Sequence, residues 1–490
     1  MDATWRRPAA LAALTASTLL AEVALTRVMS IAYFPHVAFL VLSTAMLGTG
    51  VAAALQSLRP ITEDAAGRGL TASLVAGTGV AFVVGHVIVH LVGAEPLAVS
   101  TSAAEAVRLA VALVALTLPF LVSGAAVTRL LTARREESFR MYAADLGGAA
   151  LGCAVAVPVM HEVGPRGAVL VAVALSAAGA ATLLERRGRG IAAALAVVVL
   201  VVCPWADRVL PLHVSSAKVT QAGAPFAEVL RDPRLTLATE ETAHPRLDRV
   251  AFTPAVHRIM FDAGVAAVRV PRGPTREGHD ATLTYELRPE SPSLIIGAGA
   301  GWEAQEALHF TRAPVDAVEI HPGVVDMAPP RLRAHDRVTW HVEDGRTFLE
   351  RTDERYGSIV MVHTISNAAS AAGALHLSES YLLTVQAARS LITHLEPHGL
   401  LLVTRPEAQI ARWLATLDAA NSDRPVEDRV VVWREPSRGP SFYGAVLYAK
   451  GGFRAGDVER IVERVQTRGL DLLHAPGATA FNAVLGVVMA

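Results

Sequence analysis

The stretch Leu294-Ile295-Ile296-Gly297-Ala298-Gly299-Ala300-Gly301-Trp302-Glu303 decides the fold class of the second half of this 490-residue chain. Three apolar residues run straight into three glycines at alternate positions, and a helix-forming run to Leu308 follows. A short apolar strand, a turn without side chains and then a helix is the opening unit of a parallel, doubly wound sheet. Such sheets bind ligands beyond the carboxyl ends of their strands, where glycine lets the backbone come close and a helix start offers free N–H groups. A dinucleotide fingerprint needs a small residue where Trp302 stands, so NAD is disfavoured and a dinucleotide oxidoreductase is the weakest functional reading.

Outward from this unit, short apolar runs at Val315–Ile320, Val338–His341, Ser358–Val362 and Leu400–Thr404 alternate with helical patterns at 301–311, 323–331, 346–353 and 379–394. Runs at Val430–Trp433 and Gly444–Ala449, with a helix near 455–468, complete the sheet. The alternation predicts an α/β Rossmann-like domain over 281–490. Before it, short β-rich runs such as Arg249–Phe252 and Ala266–Val270 predict a small β-rich region over 211–280.

The first 210 residues have a different composition. Only 25 charged side chains fall in positions 1–205, against 64 in the remainder. Overall, 52% of the chain is hydrophobic, 18% is charged and mean hydropathy is +0.39. About 20 apolar residues cross a bilayer as a helix. Candidate spans are Pro8–Tyr33, Val37–Leu58, Leu70–Val92, Ala106–Leu131, Ala143–Met160, Gly167–Leu184 and Ile191–Trp205. An α-helical membrane bundle of six or seven spans is expected over 1–210. Net charge is −1, which gives phosphates no excess of cations to meet and excludes nucleic acid as the main partner. Cys153 and Cys203 both sit in apolar stretches and imply no disulfide framework.

Arginines mark orientation. Arg6 and Arg7, Arg59 and Arg68, Arg134, Arg135 and Arg140, and Arg186, Arg187 and Arg189 fall at alternate connections, whereas the intervening ones hold almost none besides Arg166. By the positive-inside bias the first set is cytoplasmic. Seven crossings from there would end outside. The last segment is the shortest, which leaves open whether it crosses, lies in the interface or re-enters; the soluble half is expected in the cytoplasm of a bacterial-type cell because its ligand is expected to be a cytosolic metabolite. Glu22, Arg27, His86, His90 and Asp145 fall within spans, where ionisable groups are costly. They read either as a polar site or as one structural ion pair, Glu22 or Asp145 with Arg27. His86 and His90 stand one turn apart without a third metal ligand in their span, so no metal is expected.

Two further strand ends carry suitable chemistry. Glu319 closes the second strand, where a carboxylate can accept from both ribose hydroxyls. Asp344, in Glu343-Asp344-Gly345-Arg346, closes the third and can face an adenine amine; capping of the following helix is its competing role.

Residues 282–406 resemble the spermidine synthase family, with its Rossmann-type methyltransferase fold. The resemblance lies in LIIGAGAGWEAQEAL, VDAVEIHPGVVDMA, VEDGRTFLER and LSESYLLTVQAARSLITHLEPHGLLLVTR. LLAEVALTR and YAADLGGAALG resemble the membrane-fused branch of that family. The resemblance implies that Gly297, Gly299, Gly301 and Gly345 line S-adenosylmethionine or decarboxylated S-adenosylmethionine, that Glu319 holds the ribose and that Asp344 holds the adenine. Two departures stand out. Ala300 occupies the place of the aspartate that binds the aminopropyl amine, and His363-Thr364-Ile365-Ser366-Asn367 replaces the acidic loop that activates the attacking amine. Without those carboxylates the site lacks the negative field a polyamine needs, which argues against polyamine synthesis. His363 remains a candidate base because histidine titrates near neutral pH. Glu379 is a second catalytic candidate, and Ser366, Asn367 and Tyr381 are candidate substrate contacts.

The leading expectation is a membrane transferase alkylating a small-molecule or lipid-like acceptor, with a homodimer as a further expectation. The alternative is a non-catalytic transporter or sensor whose soluble half binds a nucleoside.

Overall fold

In a computed structural model of the chain, the described residues are 5–33, 35–58, 64–132, 138–216, 235–241, 246–251, 257–262, 266–271, 282–362, 381–421, 425–435 and 443–477. They form two compact units, Met1–Asp248 with Met260–Ala266, and Arg249–Ile259 with Ala267–Ala490.

The first unit is built on helices α1 (Arg6–Ala32), α2 (Pro35–Ser57), α3 (Ala65–Val92), α4 (Ala103–Thr132), α5 (Ser138–Leu183) and α6 (Arg186–Val202). All six are long and apolar enough to cross a membrane. Helix α5 is two passes in one. A straight helix of its 46 residues would be about 69 Å long, more than twice the hydrocarbon core of a bilayer. Gly164 breaks it at φ 72° and ψ 168°, a conformation essentially reserved for glycine, just ahead of Pro165. The two halves then run past α1 in opposite directions. Gly148 and Gly152 meet Ala12 and Ala16 in ascending order, whereas Ser17 bonds the Ala172 carbonyl at 2.6 Å and Thr182 bonds the Arg6 carbonyl at 3.1 Å. The passes expected at Ala143–Met160 and Gly167–Leu184 are therefore the two arms of a hairpin that grips α1.

Helix α6 runs the length of the bundle. At its start Arg189 donates to the Leu184 carbonyl, beside the end of α5 that reaches Arg6. Beyond its finish, Arg166 at the α5 reversal donates to the carbonyls of Asp207 and Leu210 at 3.1 and 2.9 Å and pairs with the Asp207 carboxylate. Arg166, the exception in the arginine pattern, closes helix ends. His86 donates to the Pro211 carbonyl at 2.9 Å, and His90 accepts from the His213 N–H at 3.2 Å, so both histidines anchor backbone. Arg27 pairs with Asp262, not with Glu22 or Asp145. Asp262 has φ 43°, and is the one non-glycine residue with positive φ among those described.

A four-stranded meander follows: β1 (Thr236–Glu241), β2 (Arg246–Ala251), β3 (His257–Phe261) and β4 (Ala266–Val270), in that spatial order. The boundary between the units passes through it.

The second unit contains an eight-stranded sheet of β5 (Ser293–Ile296), β6 (Val315–Glu319), β7 (Val338–Val342), β8 (Tyr356–Met361), β9 (Leu395–Pro406), β10 (Val430–Arg434), β11 (Tyr443–Ala449) and β12 (Asp471–His474). Their order is β12-β10-β11-β9-β8-β5-β6-β7. Strands β5 to β9 pair in parallel, and β10, β11 and β12 join antiparallel. Ile296, Val318, Met361 and Val403 enter one apolar core, and Ile295, Ala317, Val360 and Leu402 enter the other. A strand buried on both faces has no polar side, which is why these segments read as unbroken apolar runs. Chain direction across the sheet switches at β5, flanked by β6 and β8, and the glycine run leaves from its carboxyl end.

The α1–α5 contact makes a testable difference between neighbouring glycines. A Cβ on Gly152 would lie 2.4 Å from the Ala16 carbonyl oxygen, whereas one on Gly147 would meet nothing within 4 Å. Gly152→Val should destabilise the bundle by about 1–3 kcal/mol through overpacking, and Gly147→Val should leave it unchanged, read as the melting of detergent-purified protein.

Candidate functional site

The turn after β5 is wound by glycine. Gly297, Gly299 and Gly301 have φ of 77°, 54° and 89°, which a side chain would strain. The N–H groups of Gly297 and Ala298 both donate to the Val318 carbonyl, at 2.9 and 3.0 Å, and so bind the turn to β6. Gly301 then caps α8 (Trp302–Phe310), which follows α7 (Thr282–Leu287) and β5 in the chain. The turn is closely roofed. A Cβ on Gly299 would stand 3.3 Å from the Val268 side chain of β4, and one on Gly301 would stand 3.1–3.2 Å from Leu332 and Trp340.

Glu319 ends β6 beside this turn and is 7% exposed. One carboxylate oxygen accepts from the Gly299 N–H at 2.9 Å and the other from the His321 N–H at 3.0 Å. A carboxylate has about four lone-pair directions, so acceptor capacity remains beyond these two bonds. Burial pushes its pKa up, against the opposing pull of the His321, Gly299 and Ile320 N–H groups.

Asp344 ends the connection after β7 and caps α9 (Gly345–Arg351), its Oδ1 accepting from the N–H groups of Arg346 at 2.9 Å and Thr347 at 3.1 Å. Its competing capping role is therefore realised, and Oδ2 has no partner among the described residues. Gly345 is where α9 meets β5, since a Cβ there would fall 2.5 Å from Ile296. The turn, Glu319 and Asp344 thus stand at the carboxyl ends of three parallel strands in the order β5-β6-β7.

His363, Ser366, Asn367 and Glu379 lie outside the described residues. Tyr381 opens a short 3₁₀ turn, Tyr381–Leu383, and only its backbone is described.

One group near the turn has no counterpart among the expected site residues. Trp302 lies against the Arg269 guanidinium of β4, 5.2 Å from ring centroid to Cζ. Next to it, burial pushes the Glu303 carboxyl up to about 7, with Glu306 and Glu319 adding repulsion and Arg269 opposing. Glu306 is fully buried, and so is Tyr285 of α7, whose hydroxyl has no hydrogen-bond partner among the described residues. Two glutamates three residues apart directly after a glycine turn were the available signal in the sequence, since i and i+3 share one helix face.

No family model matches the chain, and no curated protein matches it. Among solved structures it is similar to a spermidine synthase from Thermotoga maritima, with 14% identity and a TM-score of 0.35 over 52% of this chain and 84% of that one. It is similar to a spermidine synthase in complex with the transition state analogue AdoDATO, at 13% identity and a TM-score of 0.34 over the same shares. A probable spermidine synthase from Corynebacterium glutamicum gives 14% identity and a TM-score of 0.37 over 48% of this chain and 88% of that one.

The raised Glu303 pKa fixes the sign of a pH effect. Between the unfolded carboxylate value of 4.5 and about 7 the folded chain retains a proton that the unfolded chain has released. Stability therefore falls as pH rises through that window. Melting temperature should drop between pH 5 and pH 8 in the native protein, and Glu303→Gln should shrink that drop.

Proposed function

We propose that this chain is an integral membrane transferase whose α/β unit holds an adenosine bearing a sulfonium, S-adenosylmethionine or its decarboxylated form, for alkyl transfer to a small or lipid-like nucleophile. The observation that carries this reading is Glu319, buried at the end of β6 and bonded through one oxygen to the Gly299 N–H of the adjacent turn. A carboxylate so held is oriented before any ligand arrives, and its remaining lone pairs suit a pair of vicinal hydroxyls. The turn carries no side chain larger than a methyl, so its backbone is open to close approach by a ligand. Asp344 Oδ2 supplies an acceptor for an adenine amine on the next strand.

When bound, the sulfonium supplies an electrophilic carbon next to positively charged sulfur. The protein's own part is alignment, because in-line displacement draws most of its rate from positioning. Glu303 and Glu306 place two carboxyl groups just past the turn, where Ala300 offers none. His363 would accept the proton released by the nucleophile, with Glu379, Ser366, Asn367 and Tyr381 as acceptor contacts; these assignments rest on the family resemblance. The short supply of carboxylates in 363–367 favours an acceptor with fewer cationic groups than a polyamine.

A second reading, a nucleoside-gated transporter or sensor, draws on Glu22 and Asp145. Both carboxylates fall within apolar helices, and neither has an ion-pair partner among the described residues. Unpaired acids at membrane depth usually serve transport or binding. Transport lost in Glu22→Ala and Asp145→Ala but kept in His363→Ala would favour this reading.

Titration calorimetry of the detergent-purified chain with each adenosyl sulfonium should give saturable heat. Glu319→Ala should weaken binding by about 10- to 100-fold, the worth of charge-assisted hydrogen bonds of about 1.5–3 kcal/mol. Asp344→Asn should have a smaller effect. Absence of heat with both compounds in the native protein would refute the proposal. Labelled cofactor with a total metabolite extract, followed by mass analysis, distinguishes a methyl gain from an aminopropyl gain.

A further inference from the structure

The two ends of the helical unit differ in charge and in which parts of the chain they gather. One end collects the start of α1, the start of α3, the end of α4, the end of α5 and the start of α6. Arg7 donates to the Leu130 carbonyl, Arg129 donates to the Gly67 carbonyl and Thr182 donates to the Arg6 carbonyl. The helix starts at this end and the connections between them carry Arg6, Arg7, Arg59, Arg68, Arg134, Arg135, Arg140, Arg186, Arg187 and Arg189.

The opposite end gathers the end of α1, the end of α3, the α5 reversal and residues 207–216. The Ser215 N–H donates to the Ala32 carbonyl at 2.8 Å. Glu95, just past α3, accepts from the Ser215 hydroxyl at 2.6 Å and the Ser216 N–H at 2.8 Å, and contacts His213 at 3.3 Å. Arginines at this end are neutralised: Arg27 by Asp262, Arg108 by Glu105 and Arg166 by Asp207, with Arg208 exposed. After Ser216, no helix among the described residues is long and apolar enough to return, and 217–234 carries Lys218, Glu228, Arg231, Asp232 and Arg234.

We infer that the bundle makes seven crossings and delivers the α/β unit to the face of the membrane opposite the arginine-rich connections, outside the cytoplasm. The positive-inside bias sets the first end in the cytoplasm. The Gly164 reversal makes α5 two crossings, and the full-length α6 makes the total odd. This reverses the cytoplasmic placement expected from the cofactor. It rests on the membrane reading above, and its consequence is chemical: a donor carrying a fixed sulfonium charge does not cross a bilayer unaided, so a transport step must supply it to this unit.

The test is labelling of single cysteines in intact cells with a membrane-impermeant maleimide, after Cys153 and Cys203 are replaced by alanine. Asp336→Cys lies on the α/β unit, where the native side chain is 98% exposed, and Arg187→Cys lies exposed in the first turn of α6. Labelling of Asp336→Cys in intact cells, with Arg187→Cys labelled only after permeabilisation, supports the inference. The reverse pattern overturns it, and so does finding both positions on the same side. A phosphatase fused after Ala490, active only outside the cytoplasm, gives an independent readout should a cysteine variant fail to insert: activity supports the placement and its loss overturns it. Sulfonium binding is measured in detergent, where sidedness has no influence. A chain that labels as expected yet binds neither sulfonium would sink only the functional reading.

Discussion

A carboxylate enclosed between a sheet and its covering elements must be hydrogen-bonded or neutral, because unpaired buried charge costs several kcal/mol. Glu319 satisfies this constraint through backbone, taking one N–H from the glycine turn and one from its own strand end. That bond links β6 to the turn after β5, so the two halves of the candidate cradle are one mechanical object. The glycines contribute the complementary condition. With positive φ at 297, 299 and 301, the chain can fold back far enough to aim the Gly299 N–H at the carboxylate. Without either partner, the other would be strained or unsatisfied.

The helical unit uses the same residue for close packing, because small residues let helix backbones approach one another. Gly148 and Gly152 let the first arm of α5 touch α1 backbone, and the Gly164 reversal returns the second arm along the other side. Polar side chains then fasten the far end: His86, His90, Glu95 and Arg166 each bond backbone of residues 207–216. His86 and His90, which look like part of an intramembrane site in the sequence, and Arg166, which looks like a lone topology marker, are fasteners, with Glu95, for the segment leaving the bundle.

What was legible in the sequence follows from what leaves a local trace. The parallel strands announced themselves because both faces are buried, which removes the polar alternation that would otherwise blur an apolar run. The two arms of α5 were legible as two separate apolar runs because His161, Glu162 and Arg166 interrupt the hydrophobic stretch. Partners distant in sequence left no such trace. Nothing near Arg27 points to Asp262, which is 235 positions away, and nothing near Asp344 reveals whether its oxygen caps a helix or faces a ligand. Glu303 and Glu306 were visible as residue types, but the raised pKa of Glu303 comes first from burial by the surrounding fold, with Arg269 opposing it.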